Sequence, residues 1–441
     1  MSRNLRVVTT IAELADAVQA VETDIIEVRG RLEGIRSLRL KPGQKLHGAA
    51  GASIRFEPEC DGVVLTTDNV VEKIELQTDP DRRALYNDTS VKGFGRIVLN
   101  HLQTTGCVQL IAEGAVVGGH VEARDIHVVE ADARGFEGRA AGFGVEVIPG
   151  AFTLWNRQAS QDYRVSAELR GIAVGRAELP VWGTGILVGG MLGGGGMTLS
   201  LLETGEVHSN GGIAPGTPDR ISGGVFVLQG TDVDEVRNLG AVTTYGANDM
   251  VLDNWGRVQR WHAHSKVTSY GPSGIGFVNL GELGELTVDA LLETHGLGAC
   301  GFNSGEVKQS SPDAPTESDE VGANASNVYA GTVRQATFER VVTRGDGAIG
   351  IQVSVPVGSI LVRKGIETYG GVGASLARGV VTKLAAIALS LKPGGSAREL
   401  VVGGGLTTHG KGIEAIELHG QIDAIRISGA AGPAGGGFAA V

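Results

Sequence analysis

The stretch "TTYGANDMVLDNWG" (243–256) is echoed by "TSYGPSGIGFVNLG" (268–281) and "ETHGLGACGFNSG" (293–305), and nothing else in the chain limits its fold as much. Aligned on the first glycine of each phrase, the copies fall at Gly246, Gly271 and Gly296, 25 residues apart. Gly345 and Gly370 close two further copies at the same spacing, and Gly410 closes another. Each unit carries short β-branched runs such as "GIGFV" (274–278) and "LTVDALL" (286–292), punctuated by Gly, Asn or Asp, with no helical stripe. Such a unit is too short for a strand–helix–strand crossover, which needs roughly 30 residues or more. It suffices for two or three short strands joined by tight turns. One unit alone leaves its apolar face open, whereas stacking on a neighbour gives a continuous core. Parallel stacking sets equivalent residues ~4.8 Å apart, which defines a parallel β-solenoid. The 70 glycines in 441 residues suit a coil that turns sharply several times. A β-propeller is the main competitor, but its blades need roughly 40–50 residues and a signature that this chain lacks.

Two larger intervals interrupt the period, 49 residues from Gly296 to Gly345 and 40 from Gly370 to Gly410. The first equals two coils, or one coil plus an insert. "SSPDAPTESDEVGANASN" (310–327) reads as that insert, being polar, acidic and nearly free of large apolar side chains. "MTLSLLETG" reads as a truncated earlier copy ending at Gly205, followed by a long loop over 208–222.

The amino-terminal region predicts one helix, "TIAELADAVQAV", within 10–22. Thr10 and Glu13 form a capping box, and Ile11, Leu14, Val18 and Val21 an apolar stripe. A helix there would cover the open edge of the first coil. The strand "IIEVRGRL" and the "KPGQ" turn follow. Helix, strand and turn together resemble the entry of the pectin-lyase-like superfamily, and the 25-residue coils resemble its repeats. That resemblance implies an all-β fold, a single-stranded right-handed parallel β-helix with an N-terminal capping α-helix, and implies carbohydrate-active enzymes or non-enzymatic spikes. The expected organisation is one β-helix domain over 1–441 with loop insertions at about 208–222, 304–328 and 378–398.

Composition bounds the partners. The net charge of −11 disfavours nucleic acid and anionic membrane, and no apolar segment reaches the ~18 residues of a membrane span. Three separated cysteines (Cys60, Cys107 and Cys300) and no visible signal peptide point to reduced thiols and a cytoplasmic chain. "GGVFVLQG" (223–230) is continuously apolar, so its outer side needs cover from an insert or from a second copy in a homo-oligomer.

The residue before each anchoring glycine forms a column: Tyr245, Tyr270, His295, Arg344, Tyr369 and His409. It reads either as a structural stack or as a platform for a carbohydrate, since rings offer flat apolar area with polar edges. Asn254, Asn279 and Asn303 read as a structural ladder. For catalysis, "NDMVLDN" places Asp249 and Asp253 on one outward strand face with Met250 and Leu252 inward. Glu293 lies nearby, and Trp255 adds a ring beside Asp253. Two carboxylates could serve as acid and base on a glycosidic bond, although four residues of straight strand span ~13 Å. The other reading is a solvated acidic face. "RRALYND" (82–88) suits an acidic sugar or a loop salt bridge. "WHAH" (261–264) sets His262 and His264 on one face, but no third metal ligand lies within sequence reach. No cofactor motif is present, and calcium is left open by scattered aspartates. The expected activity is a glycoside hydrolase or polysaccharide lyase working along the solenoid. Asp249, Asp253 and Glu293 would be catalytic, and Tyr245, Tyr270, His295, Trp255 and Tyr369 would hold the glycan. The alternative is a non-catalytic solenoid that binds glycans or proteins, or a structural oligomer.

Overall fold

A computed structural model of the protein describes residues 4–305, 331–377 and 380–434. Within them one helix, set between the first two strands, accompanies long parallel strand stacks, a 23-stranded and a 15-stranded sheet, as expected of a parallel β-helix architecture. One coil shows the construction. Arg257–Ala263 and Val267–Ser269 lie in the larger sheet and Ile275–Asn279 in the smaller. Each run pairs in parallel with its counterpart 25 residues on: Arg257 with Glu282, Val267 with Leu292, Ile275 with Cys300.

Alternation along each strand sends one side chain in and the next out. In the larger sheet Val236, Trp261, Leu286, Ala336, Ile360 and Leu400 stack in register and are buried. In the smaller sheet the inner column is Val225, Leu252, Phe277, Phe302, Ile351 and Leu389. Each large side chain so buried contributes roughly 1.5–3 kcal/mol. The Trp261 indole N–H is the polar exception, and it donates to Asn238 Oδ1 at 2.8 Å.

The repeated motif does three jobs at one corner of the coil. Its Thr or Ser points inward: Thr244, Ser269, Thr294, Thr343, Thr368 and Thr408 are all fully buried. Thr343 Oγ1 donates to the Ala348 carbonyl at 2.7 Å and Thr408 Oγ1 to that of Ile413 at 2.8 Å, which pins the turn. The next residue carries its ring outward. The glycine then lets the coils close: a Cβ on Gly271, Gly296, Gly345, Gly370 or Gly410 would lie well inside van der Waals contact of the preceding glycine's carbonyl oxygen.

The helix spans Ile11–Gln19 and has the expected capping box, with Thr10 Oγ1 accepting from Glu13 N–H and Glu13 Oε2 accepting from Thr10 N–H. Leu14, Ala17 and Val18 are its buried face. The helix ends two residues before Val21, which is 93% exposed and so outside the expected stripe.

Several boundaries differ from the sequence reading. Gly205 stacks against Gly240, and the copy of the motif ends six residues later at Gly211, because Val207–Ser209 pairs with Val242–Thr244. The loop assigned to 208–222 shrinks between the strands Gly196–Asn210 and Arg220–Val227. The interval of 49 is one coil plus an insert, since Glu282–Thr294 pairs directly with Thr332–Thr343. The expected insert at 304–328 lies, from residue 306, outside the described residues. Of the segment expected as a loop at 378–398, the described residues from 380 on are largely strand. Val372–Ala377 and Val380–Ala385 pair antiparallel as a hairpin, and Leu389–Leu391 and Ser396–Val402 are coil strands. The apolar outer side of "GGVFVLQG" is covered by the chain itself, where a hairpin of Ala140–Gly142 and Val145–Val147 packs over Phe226 and Leu228.

Candidate functional site

The ring column exists on the outer surface. Tyr245 and Tyr270 stack at 5.5 Å between centroids with 14° between planes, and Tyr270 and His295 at 4.6 Å and 28°. Two coils on, the Arg344 guanidinium lies 5.0 Å over the Tyr369 ring, and Tyr369 stacks on His409 at 4.2 Å and 2°. His208 extends the column at its other end, with its Nδ1 3.0 Å from the Tyr245 hydroxyl. Sequence reading missed His208 because it lies two residues before the glycine-adjacent place, which Asn210 holds in that coil: His208 is in register with Thr243 and Ser209 with Thr244. The rings face one another, so they present edges to solvent; Tyr270 and Tyr369 are 46% and 40% exposed, and His409 is exposed too.

Beside the column sits Glu293, whose Oε1 accepts from Arg344 Nε at 2.6 Å. Lys266 Nζ lies 2.8 Å from Oε2, and His295 Nε2 3.5 Å from it. Burial alone would raise the Glu293 carboxyl, but the bonds from Lys266 and Arg344 outweigh it and hold it below the usual carboxylate range. Glu367 repeats the pattern with Arg340 at 2.7 Å and the Tyr369 hydroxyl at 2.9 Å. Both acids are thus ionised and already engaged by partners.

The two aspartates of "NDMVLDN" are both buried and have different surroundings. Asp249–Asn254 pairs in register with Ser222–Val227, and four residues of strand rise ~13 Å from Asp249 to Asp253. Met250 packs in the outer cluster, whereas Val251 and Leu252 both lie in the main core, the reverse of the expected orientation for Met250 and Val251. The reason is local: Val251 occupies the place that Gly224, Gly276, Gly301 and Gly350 fill in other coils, next to the inner wall. Asp249 is fully buried at the column's corner. It accepts from the Ser222 hydroxyl at 2.6 Å and from the Gly246 and Gly211 N–H groups at 2.7 and 3.2 Å. Burial, only partly offset by these donors, raises its pKa to about 6. Asp253 is 1% exposed among Phe226 and Val278, and burial pushes its carboxyl well above the ordinary range. Its Oδ1 and the Trp255 Nε1 have no hydrogen-bond partner among the described residues.

Trp255 lies at the other end of this strand from the ring column. It lines an open cleft of about 450 Å³ with Arg164, Met191, Leu192, Arg257 and Glu282. The structure therefore brings Tyr245, Tyr270, His295 and Glu293 together, continues them through Arg344 to Tyr369, and leaves Asp253 and Trp255 apart.

Three further groups are defined by their contacts. In "RRALYND", Arg83 pairs with Asp61 and lies 3.9 Å over Tyr86, while Asp88 pairs with Arg39 at 2.5 Å. The asparagine ladder is real for Asn254 and Asn279, joined at 2.8 Å, but its third place belongs to Ser304, and Asn303 faces Gln352 instead. The imidazoles of His262 and His264 meet a carboxylate from the next coil, Asp289. Asp289 lies 25 residues after His264, so the repeat period alone would have found it.

Among the described residues no helix is long and apolar enough to cross a membrane. No family model, curated protein or solved structure matches this chain.

Proposed function

We propose that the chain is a non-catalytic β-solenoid that binds an extended glycan along its ring column. The observation that carries this reading is the column itself: exposed Tyr, His and Arg edges repeat at one strand spacing, and each acid beside them is already paired. Tyrosine edges offer apolar carbon beside a hydroxyl, which suits a sugar's mixed surface. A glycosidase needs two carboxyl groups about 5–9.5 Å apart across the bond, one of them protonated and reachable. Asp249 and Asp253 are buried and separated along their strand, and Glu293 is held ionised. The parallel stacks and the capping helix support reading the winding as a right-handed, single-stranded β-helix like that of the pectin-lyase-like superfamily. Three unpaired thiols favour a reducing compartment such as the cytoplasm.

A glycan array followed by titration of the best ligand tests this. Wild type is expected to bind an extended glycan and leave its length unchanged, and Tyr270→Ala with Tyr369→Ala to weaken binding about tenfold or more. Release of shortened or unsaturated sugar would establish the hydrolase or lyase reading instead. Absence of binding to any glycan would end both.

A further inference from the structure

Three metal-ligating side chains converge on the outer face of the larger sheet, away from the ring column's stacked rings. Ala263, the last residue of the strand Arg257–Ala263, is fully buried, so its neighbours His262 and His264 both face outward. The His264 N–H donates to the Asn238 carbonyl at 2.9 Å, which fixes the backbone at the strand end. Ala263 pairs with Val288 of the next coil, and this sets Asp289 alongside His264. We propose that His262, His264 and Asp289 form a binding site for a divalent transition-metal ion of the zinc class, with water completing its coordination.

One ligand atom from each residue lies within 4.8 Å of the others. Asp289 Oδ2 is 2.5 Å from His262 Nε2 and 4.0 Å from His264 Nδ1, and the two imidazole centroids are 3.6 Å apart. Tetrahedral ligands at ~2.0–2.2 Å from zinc stand roughly 3.3–3.5 Å from one another, so small side-chain rotations accommodate the ion. Binding replaces the short His262–Asp289 hydrogen bond and displaces its proton to solvent. The carboxylate is oriented for this role, because Arg363 Nη1 holds Asp289 Oδ1 at 3.1 Å and leaves Oδ2 toward the imidazoles. Two imidazoles and one carboxylate select zinc, copper, nickel or ferrous iron over calcium and magnesium, which prefer oxygen ligands. Partial exposure of all three residues leaves solvent to fill the remaining positions.

Titration of chelator-stripped full-length protein with ZnCl2 by calorimetry at neutral pH tests the site. One equivalent is expected to bind, and His264→Gln and Asp289→Asn each to weaken it about 10- to 100-fold. His101→Gln, which breaks a His–Asp pair that lacks a second imidazole, should leave that equivalent intact. A Co2+ titration of wild type, read by visible absorption, probes the same site without any variant and should also saturate at one equivalent. Absence of a stoichiometric equivalent of either ion, or undiminished zinc binding in a folded His264→Gln, overturns the proposal.

Discussion

Asp249 shows how one buried group sets a pH dependence. Its pKa of about 6 lies above the ordinary carboxylate value of 3.8, because burial outweighs the Ser222, Gly246 and Gly211 donors. The protonated form is therefore favoured by folding. The contribution of this group is fully present below the unfolded value and is lost as pH rises through about 6. Asp249→Asn keeps an acceptor for the glycine N–H groups without a titrating proton. Urea unfolding of wild type and variant should show the difference between them shifting by about 2–3 kcal/mol in favour of the variant from about pH 4 to 7. A pH-independent difference would contradict this assignment. The sequence offered Asp249 as an outward carboxylate, since strict alternation was the only guide to its direction. Alternation fails there because Val251 stands in a column held by Gly224, Gly276, Gly301 and Gly350 in neighbouring coils, where its side chain turns inward. Conversely, the ring column was legible, because a period of 25 aligns Tyr245, Tyr270 and His295 whatever their side chains do. The partners of Glu293, Lys266 and Arg344, were not, since long flexible side chains reach across coils in ways that spacing does not encode.

At the scale of elements, the glycine of each motif is the piece that coil closure depends on. A methyl at Gly296 would meet the Gly271 carbonyl, which cannot yield without parting two coils, whereas one at Gly135 meets nothing within 4 Å. Gly296→Ala should therefore lose about 3 kcal/mol or more in chemical unfolding, and Gly135→Ala less than about 1 kcal/mol. Equal effects would show that coil contact at the corner does not limit stability. The helix and the coils were readable because their signals are strong: a capping box for one, a fixed period for the other. The covering hairpin over 140–147 was not. Its turn puts Phe143 at φ +52° before Gly144 at φ +80°, where a hairpin of this kind ordinarily shows Asn or Asp before Gly. The hairpin after Gly370 was legible only as an insertion expected at about 378–398, because the long interval from Gly370 to Gly410 reveals extra chain and not its pairing, and "VGASLA" has a single β-branched residue.

At the scale of the whole molecule, the column, the metal cluster and the glycine contacts all rest on register between coils. Spin labels on the outer face measure that register. Arg96 and Arg257 are joined through His120, Ser166, Thr198 and Asp232, five strand spacings apart. Arg260 and Ala424 are joined through Glu285, Gln335, Ser359 and Glu399, also five. The second pair spans the long interval after residue 305 and the hairpin Val372–Ala377/Val380–Ala385, and the first spans the covering hairpin Ala140–Gly142/Val145–Val147, so agreement between them is a demanding test. With the half-buried Cys60 replaced by serine, pulsed electron–electron resonance on each labelled pair should give a narrow distribution centred near ~24 Å. Two means that differ by more than about 10 Å, or broad distributions extending past about 40 Å, would contradict the stacked coil and the sites built on it.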